Sequence, residues 1–586
     1  MQNRRFDCLI VVLTSVAGVV ACSAAPDHAQ LPVADASALA DEYYAWLLER
    51  APEEAYFSGV EIERHNGLFD NRPEALQEAH RFEDTFAEKL RSVDATGLEG
   101  TADWITLAYL RQHVNASIAQ RICRYELWNV NQMGGWHLAY TQIAELQPVG
   151  TPELRDQAMR RWIRFPVFID QEITNLEAGL AKGYSSPRSV VARVIDQLNG
   201  LLELPVDQSP FASAALRDTD ESFAAELHGL VETGIYPALH RYRDFLQDTY
   251  LDAARAELSV TANPDGAACY EASLRAYTTV DRSGQEVFEL GQETVEANAQ
   301  TVIELGLAAY GIEDFAQIIE RAKADPADRF ANKEELLQFS EQAVKRAATA
   351  MPDWVLHMPA QPVSVVPFAE HEEGTGRSAH YRPGNENRAA EYRIPLHRPE
   401  EQSRGNAEAT AFHETWPGHH LQVASAQAIE GLHPVTRIIW FSGPGEGWAR
   451  YSEALAEEMG LYETVSGPIL RRAWPARGMV VDPGIHLHGW TREQAIEFMV
   501  VSGRFERDRA DEMVDRIAIL PGQLTAYDSG GLEILALRRE AGEALGEDFD
   551  IREFHDEVLE NGTIPLTFLR QHIEQWIEES RAQPVQ

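Results

Sequence analysis

Residues 410–422 read TAFHETWPGHHLQ. His413 and Glu414 sit in a helix-compatible stretch, and a histidine pair, His419-His420, follows a Pro417-Gly418 step. In the spacing H-E-x-x-H, residues i and i+4 share one helix face. Two imidazoles then reach one Zn²⁺, and the Glu at i+1 projects beside them. Here the spacing is stretched to H-E-x-x-P-G-H-H. At about 100° per residue, position i+6 lies about 120° away from His413, whereas i+7 lies about 20° away but roughly 10 Å along the axis. An unbroken helix therefore brings neither imidazole to a metal shared with His413, because Zn–N bonds are only ~2.0–2.1 Å. Proline removes a backbone donor and glycine relaxes the chain, so a kink, bulge or break at 417–418 is expected. Looping out two residues of one helical rod gives His419 the i+4 role. His420 is then a supporting or substrate contact, or the alternative ligand.

Two histidines need a third protein ligand if one position is to stay open for water. The segment GPGEGWARYSE at 443–453 offers two carboxylates. Glu446 heads an expected helix after a Gly-Pro-Gly turn and is taken as the ligand. Glu453, two turns later on the same face, is the alternative, or receives the free ring N–H of a ligating histidine.

Working outward, helix periodicity fades at 351–399. VSVVPF and AEYRIPL read as short strands, separated by a loop rich in Gly, Arg and Asn. From Ser37 to about 350, and again from Asn406 onward, apolar residues recur at i, i+3, i+4 and i+7. The expected architecture is mainly α, with an N-terminal helical region (37–350) and a catalytic region (351–586) in one continuous unit, and one small β-sheet next to the active-site helix. Glu391–Pro395 is read as an edge strand on which a peptide could pair by β-augmentation, with Tyr392 as a substrate contact and Pro395 confining the ladder to an edge.

The ordered motifs H-E-x-x-P-G-H-H-L-Q, E-G-W-A-x-Y-x-E, Asp482-Pro483-Gly484-Ile485-His486, and Pro521-Gly522-Gln523 with Tyr527 resemble the bacterial DUF885 family. That family is similar to gluzincin-type zinc metallopeptidases, in which two His and one Glu hold zinc. The resemblance extends to FDIREFHD at 549–556. It implies a large multi-helix zincin-like peptidase fold and a zinc-dependent hydrolase of peptide or related amide bonds. One zinc would be held by His413, His419 and Glu446, with Glu414 as general base toward a metal-activated water. His486 and Tyr527 are candidates to meet the developing oxyanion. Asp482, four residues before His486, would orient its ring, and Arg477 could bind a substrate carboxylate. The alternative is a non-catalytic periplasmic lipoprotein that binds peptides or a partner.

The chain has 586 residues, 44% hydrophobic and 24% charged, which are ordinary globular values. A net charge of −41 with no basic patch argues against nucleic acid as a partner. The motifs G-x-S-x-G, P-loop and G-x-G-x-x-G opening a βα unit do not occur, so nucleotide chemistry has no support. Residues 1–21 read as a lipoprotein signal peptide: Arg4 and Arg5, an apolar run from Leu9 to Val20 too short to span ~30 Å of bilayer, then Val19-Val20-Ala21-Cys22. Cys22 is the expected lipidation site and membrane anchor. Ser23 after it points to the outer membrane, facing the periplasm. Residues 22–36 read as a flexible tether. Cys123 and Cys269 either form one disulfide or are two buried thiols.

Overall fold

Helices form where the sequence repeats its apolar residues at three- and four-residue intervals, and polar caps set their starts. In the computed structural model, which describes residues 35–370, 373, 378–385 and 388–582, the chain is mainly helical. Thr151 accepts from the Leu154 amide and Pro152 opens the helix Pro152–Ala181. A capping box between Ser283 and Glu286 opens Gly284–Tyr310. The signal peptide, Cys22 and residues 22–34 of the tether lie outside the described residues. The tether ends sooner than expected, because the Asp35 carboxylate caps Ser37 and starts the helix Ala36–Arg50.

Two large apolar cores organise the helices. One is drawn almost entirely from helices and is built around Trp162, Phe165, Phe211 and Tyr242. The other joins Leu39, Phe86 and Leu110 from the first helices to Phe412, Trp448, Leu455 and Ile573. The first helices thus share one apolar core with the segments carrying the histidine motif. Cys123 and Cys269 form a disulfide within a smaller cluster.

Among the described residues one sheet is present, with strands β1 (Val363–Pro367), β2 (His380–Arg382) and β3 (Ala390–Ile394). Its order is β1-β3-β2. β3 runs parallel to β1 (Val363 opposite Ala390) and antiparallel to β2 (Tyr381 opposite Tyr392). Both expected strands are present. The expected edge strand over Glu391–Pro395, however, is the centre of the sheet. The unforeseen strand His380-Tyr381-Arg382, inside the Gly- and Arg-rich loop, pairs with its second side. Paired on both sides, β3 has no backbone to offer a peptide, and the Tyr392 side chain is enclosed at 2% exposure. β2 is the strand at the edge nearest the site described next.

Candidate metal centre

The helix Arg404–Glu414 starts on the Ser403 cap and stops at Glu414. Thr415 folds back on it, with both its amide and its hydroxyl donating to the Ala411 carbonyl. The Trp416–Pro417 peptide is cis, and a new helix begins at His419 and runs to Ala428. The expected single kinked rod is therefore two helices joined by a four-residue break. Gly418 explains the tightness of the turn. A Cβ there would sit 1.9 Å from the His413 carbonyl oxygen and 2.4 Å from that of Phe412. Gly418→Ala is expected to lower stability by about 1–3 kcal/mol or more, since those backbone atoms cannot swing aside. A thermal midpoint equal to that of the wild type would show that the break tolerates a side chain.

The helix Ser442–Glu458 locks this break. Gly443-Pro444-Gly445, expected as a preceding turn, forms its first helical turn, where proline is tolerated. The Trp448 indole N–H and the Ser452 hydroxyl both donate to the Pro417 carbonyl, at 2.8 and 3.1 Å. Gln422 donates to the Pro444 carbonyl at 3.1 Å, tying the His419 helix to the same element. His555, from FDIREFHD, is buried behind it between Tyr451 and the Trp354 carbonyl. Residues of separate motifs thus hold one another.

The outcome is a convergence of three ligand atoms. His413 Nε2 lies 3.6 Å and His419 Nε2 3.4 Å from the same Glu446 oxygen, Oε2. One ligand atom from each of the three residues lies within 4.8 Å of the others. The imidazoles are perpendicular, with centroids 4.9 Å apart. These separations are long for hydrogen bonds. They are close to the ~3.3 Å expected between neighbouring donors of a tetrahedral Zn²⁺ with ~2.0–2.1 Å bonds. Two imidazoles and one carboxylate are also the donor set of a known type of catalytic zinc site. The residues present therefore fit the ion.

Glu453 Oε1 lies 2.9 Å from the other ring nitrogen of His413, Nδ1, and Arg450 Nη1 donates to both Glu453 oxygens at 2.8 and 2.9 Å. Arg450 in turn lies 2.9 Å from Asp528. Burial alone would raise Glu453, but Arg450 and His413 override it and hold it down to about 2. As a carboxylate, Glu453 accepts the Nδ1–H and leaves Nε2 free to face Glu446. Burial likewise opposes ionisation of Glu446, yet the two imidazoles keep it well below the ordinary carboxylate range. His413 itself is pushed up by Glu446 and Glu453 against the effect of burial. Asp528 reaches Arg450 because the helix Ala526–Leu545 lies in backbone contact with the Glu446 helix. A Cβ at Gly447 would meet Gly530 Cα at 2.6 Å, and one at Gly530 would meet the Gly443 carbonyl oxygen at 2.0 Å.

Glu414, at the end of its helix, accepts the Tyr381 amide of β2 on Oε2 at 2.8 Å. Its charge also raises His413. The sheet therefore fixes the carboxylate beside the first histidine.

Several expected residues stand elsewhere. His420 turns away from the centre: its Nε2 reaches the Gln361 carbonyl at 2.9 Å, its Nδ1 the Tyr381 hydroxyl at 3.1 Å, and its ring packs edge-on against Trp416. His486 is a core residue. Its Nδ1 accepts the Val260 amide and its Nε2 donates to the Ile517 carbonyl, so no ring atom is left for an oxyanion, and burial drives its pKa down to about 3. Asp482 does not orient it. That carboxylate accepts the Tyr270 hydroxyl and the Gly522 amide, and burial raises it to about 7. Arg477 is buried too, donating to the Ala473 and Phe498 carbonyls and lying over the Phe498 ring. Tyr527 adjoins Asp528, which pairs with Arg450, and its hydroxyl lies 3.4 Å from Arg516. Its phenol is raised first by burial and then by the Glu446 charge.

Arg450, Asp528 and Tyr381 escaped the sequence reading. The i, i+3 spacing of Arg450 and Glu453 was a usable signal for the first, and the small-residue run Ser529-Gly530-Gly531 for the contact that brings in the second. The Tyr381 contribution is a backbone amide and has no side-chain signature. A second His-Glu-Glu grouping, His572 with Glu557 and Glu560, offers a single imidazole in an ion pair, 2.7 Å from Glu557.

Fold and site together define a mainly helical protein with a small mixed sheet and a His-His-Glu centre. The chain belongs to the family described as "Bacterial protein of unknown function (DUF885)", whose pattern matches residues 52–573. Two solved structures are similar. One is a candidate lipoprotein from Colwellia psychrerythraea, with TM-score 0.82, 22% identity, and coverage of 93% of this chain and 100% of that one. The other is a candidate lipoprotein of unknown function from Shewanella oneidensis, with TM-score 0.78, 16% identity, and coverage of 92% and 99%. At these identities the likeness establishes the fold. Among curated proteins none matches the chain.

Proposed function

We propose that the protein is a zinc-dependent hydrolase of peptide or related amide bonds, of the gluzincin type, tethered in the cell envelope by a lipid on Cys22. The observation that carries the reading is the approach of His413 Nε2 and His419 Nε2 to one oxygen of Glu446 at 3.6 and 3.4 Å, with Glu414 fixed alongside. His413, His419 and Glu446 would hold the ion, which when bound polarises a carbonyl and lowers the pKa of water toward ~7.

The chain supplies the rest. Glu414 has one oxygen engaged by the Tyr381 amide and the other available to take a proton from the attacking water and pass it to the leaving amine. Tyr527, its phenol raised above the ordinary value, keeps its proton and can donate to a developing oxyanion. Glu453 and Arg450 keep His413 in one tautomer and orientation. The lipid anchor is supported by the lipobox-like sequence before Cys22 and by the names of the two similar structures. Ser23 favours the outer membrane, facing the periplasm. Among the described residues no helix is long and apolar enough to cross a membrane.

The test is hydrolysis of a peptide library before and after chelation. Cleavage should disappear when zinc is removed and return when one equivalent is restored. Cleavage that resists complete metal removal would contradict the proposal.

A further inference from the structure

A cavity of about 340 Å³ opens between the helix Arg188–Leu202, the helix Arg507–Ile519 and the loop carrying Gln132. Three arginines line it, and two are committed. Arg193 pairs with Asp511 and Asp515 at 2.8 and 2.5 Å, and Arg509 pairs with Glu512 at 2.5 Å. Arg516 differs. Its Nη2 donates to Gln523 Oε1 at 2.7 Å and lies 3.4 Å from the Tyr527 hydroxyl, while its Nε is buried with no hydrogen-bond partner. Among the described residues it has no carboxylate within ion-pair distance. Asp482, whose charge it modulates, is spent on Tyr270 and Gly522.

A guanidinium presents a planar fork of donors that fits a carboxylate through two parallel hydrogen bonds. Leaving that fork half-buried and without an anion is costly, so an unpaired arginine in a cleft is a receptor for one. Its location gives the receptor a use. Tyr527 connects it to the proposed metal centre, lying 3.4 Å from Arg516 on one side and within the field of Glu446 on the other. The glycine contact between Gly447 and Gly530 fixes that proximity in the backbone.

We propose that Arg516, supported by Gln523 and Tyr527, binds a carboxylate of the substrate, so that the bond presented to the centre lies close to that carboxylate. The substrates are then short peptides or amides carrying a free carboxylate near the scissile bond. This deepens the hydrolase reading and rests on it for the word substrate.

The experiment reads binding alone. The full-length Glu414→Gln protein, as purified, is titrated calorimetrically with three peptides: Ala-Ala-Ala as the free acid, its C-terminal amide, and Ala-Ala-Asp amide. The free acid should bind about tenfold or more tightly than the alanine amide. Adding Arg516→Gln should erase that preference, and Arg516→Lys should restore part of it. If Ala-Ala-Asp amide binds like the free acid, a side-chain carboxylate also serves; if it binds like the alanine amide, the C-terminus alone is read. Equal affinity for all three, no binding of any, or a preference that survives Arg516→Gln would overturn the proposal. Failure of the hydrolase reading registers separately, as the absence of zinc-dependent cleavage of any library peptide by the wild-type protein.

Discussion

Glu414→Gln protein is expected to retain its zinc and lose peptide hydrolysis by about 100- to 10,000-fold, the usual contribution of a positioned general base. The two outcomes separate because Glu414 is not one of the three converging donors. Glutamine has nearly the same shape, and its side-chain carbonyl can still accept the Tyr381 amide that now binds Oε2. The backbone of β2 and the end of the histidine helix therefore stay where they are. What disappears is the ability to accept a proton, since an amide is not a base near neutrality. Metal content and kcat measured on the same preparation check this. Unchanged turnover would remove Glu414 from the chemistry, and loss of zinc would make it a ligand.

His413→Ala is expected to do the opposite and abolish zinc binding. It deletes one of three donors and also strands the second carboxylate. Glu453 is held between Arg450 and His413, and Glu446 between the two imidazoles. Removing a group that merely supports a ligand costs about 10–100-fold in metal affinity. Removing His413 should cost more, because no neighbouring side chain can take its place: His420 is turned away and committed to Gln361 and Tyr381. Equilibrium dialysis against buffered zinc, with Glu453→Gln as the milder comparison, provides the check. Full occupancy in His413→Ala would show that the ion, if present, sits elsewhere.

The parts of the centre that were legible in the sequence are those where chemistry and spacing act together. His413, Glu414, His419, Glu446 and Glu453 belong to side-chain types with a strong metal or proton chemistry, and the segments containing them are short and local. The break was legible as an expectation at Pro417-Gly418, but its form was not. Whether a Pro-Gly step bulges or terminates a helix depends on what caps it, and here Trp448 and Ser452 on another helix seize the Pro417 carbonyl. His486 and Arg477 misled for a related reason. Their donors are satisfied by backbone carbonyls that come together only in the fold, so a residue able to do catalysis became a buried structural one. Two of the sheet's three strands were read correctly, and Glu391–Pro395 was wrongly placed at its edge. His380-Tyr381-Arg382 has too few residues to show an alternating pattern, yet it occupies the side of β3 that had been assigned to substrate. Arg516 had no motif around it, and its interest lies in a missing partner, which only three-dimensional packing reveals.

The most direct measurement is anomalous diffraction from crystals of the full mature protein, recorded on both sides of the zinc edge. The account predicts a single strong peak touching His413 Nε2, His419 Nε2 and a Glu446 oxygen, with Glu453 on the far ring nitrogen of His413. A zinc-saturated crystal with no peak among those three atoms, or with the peak held by other residues, would contradict it.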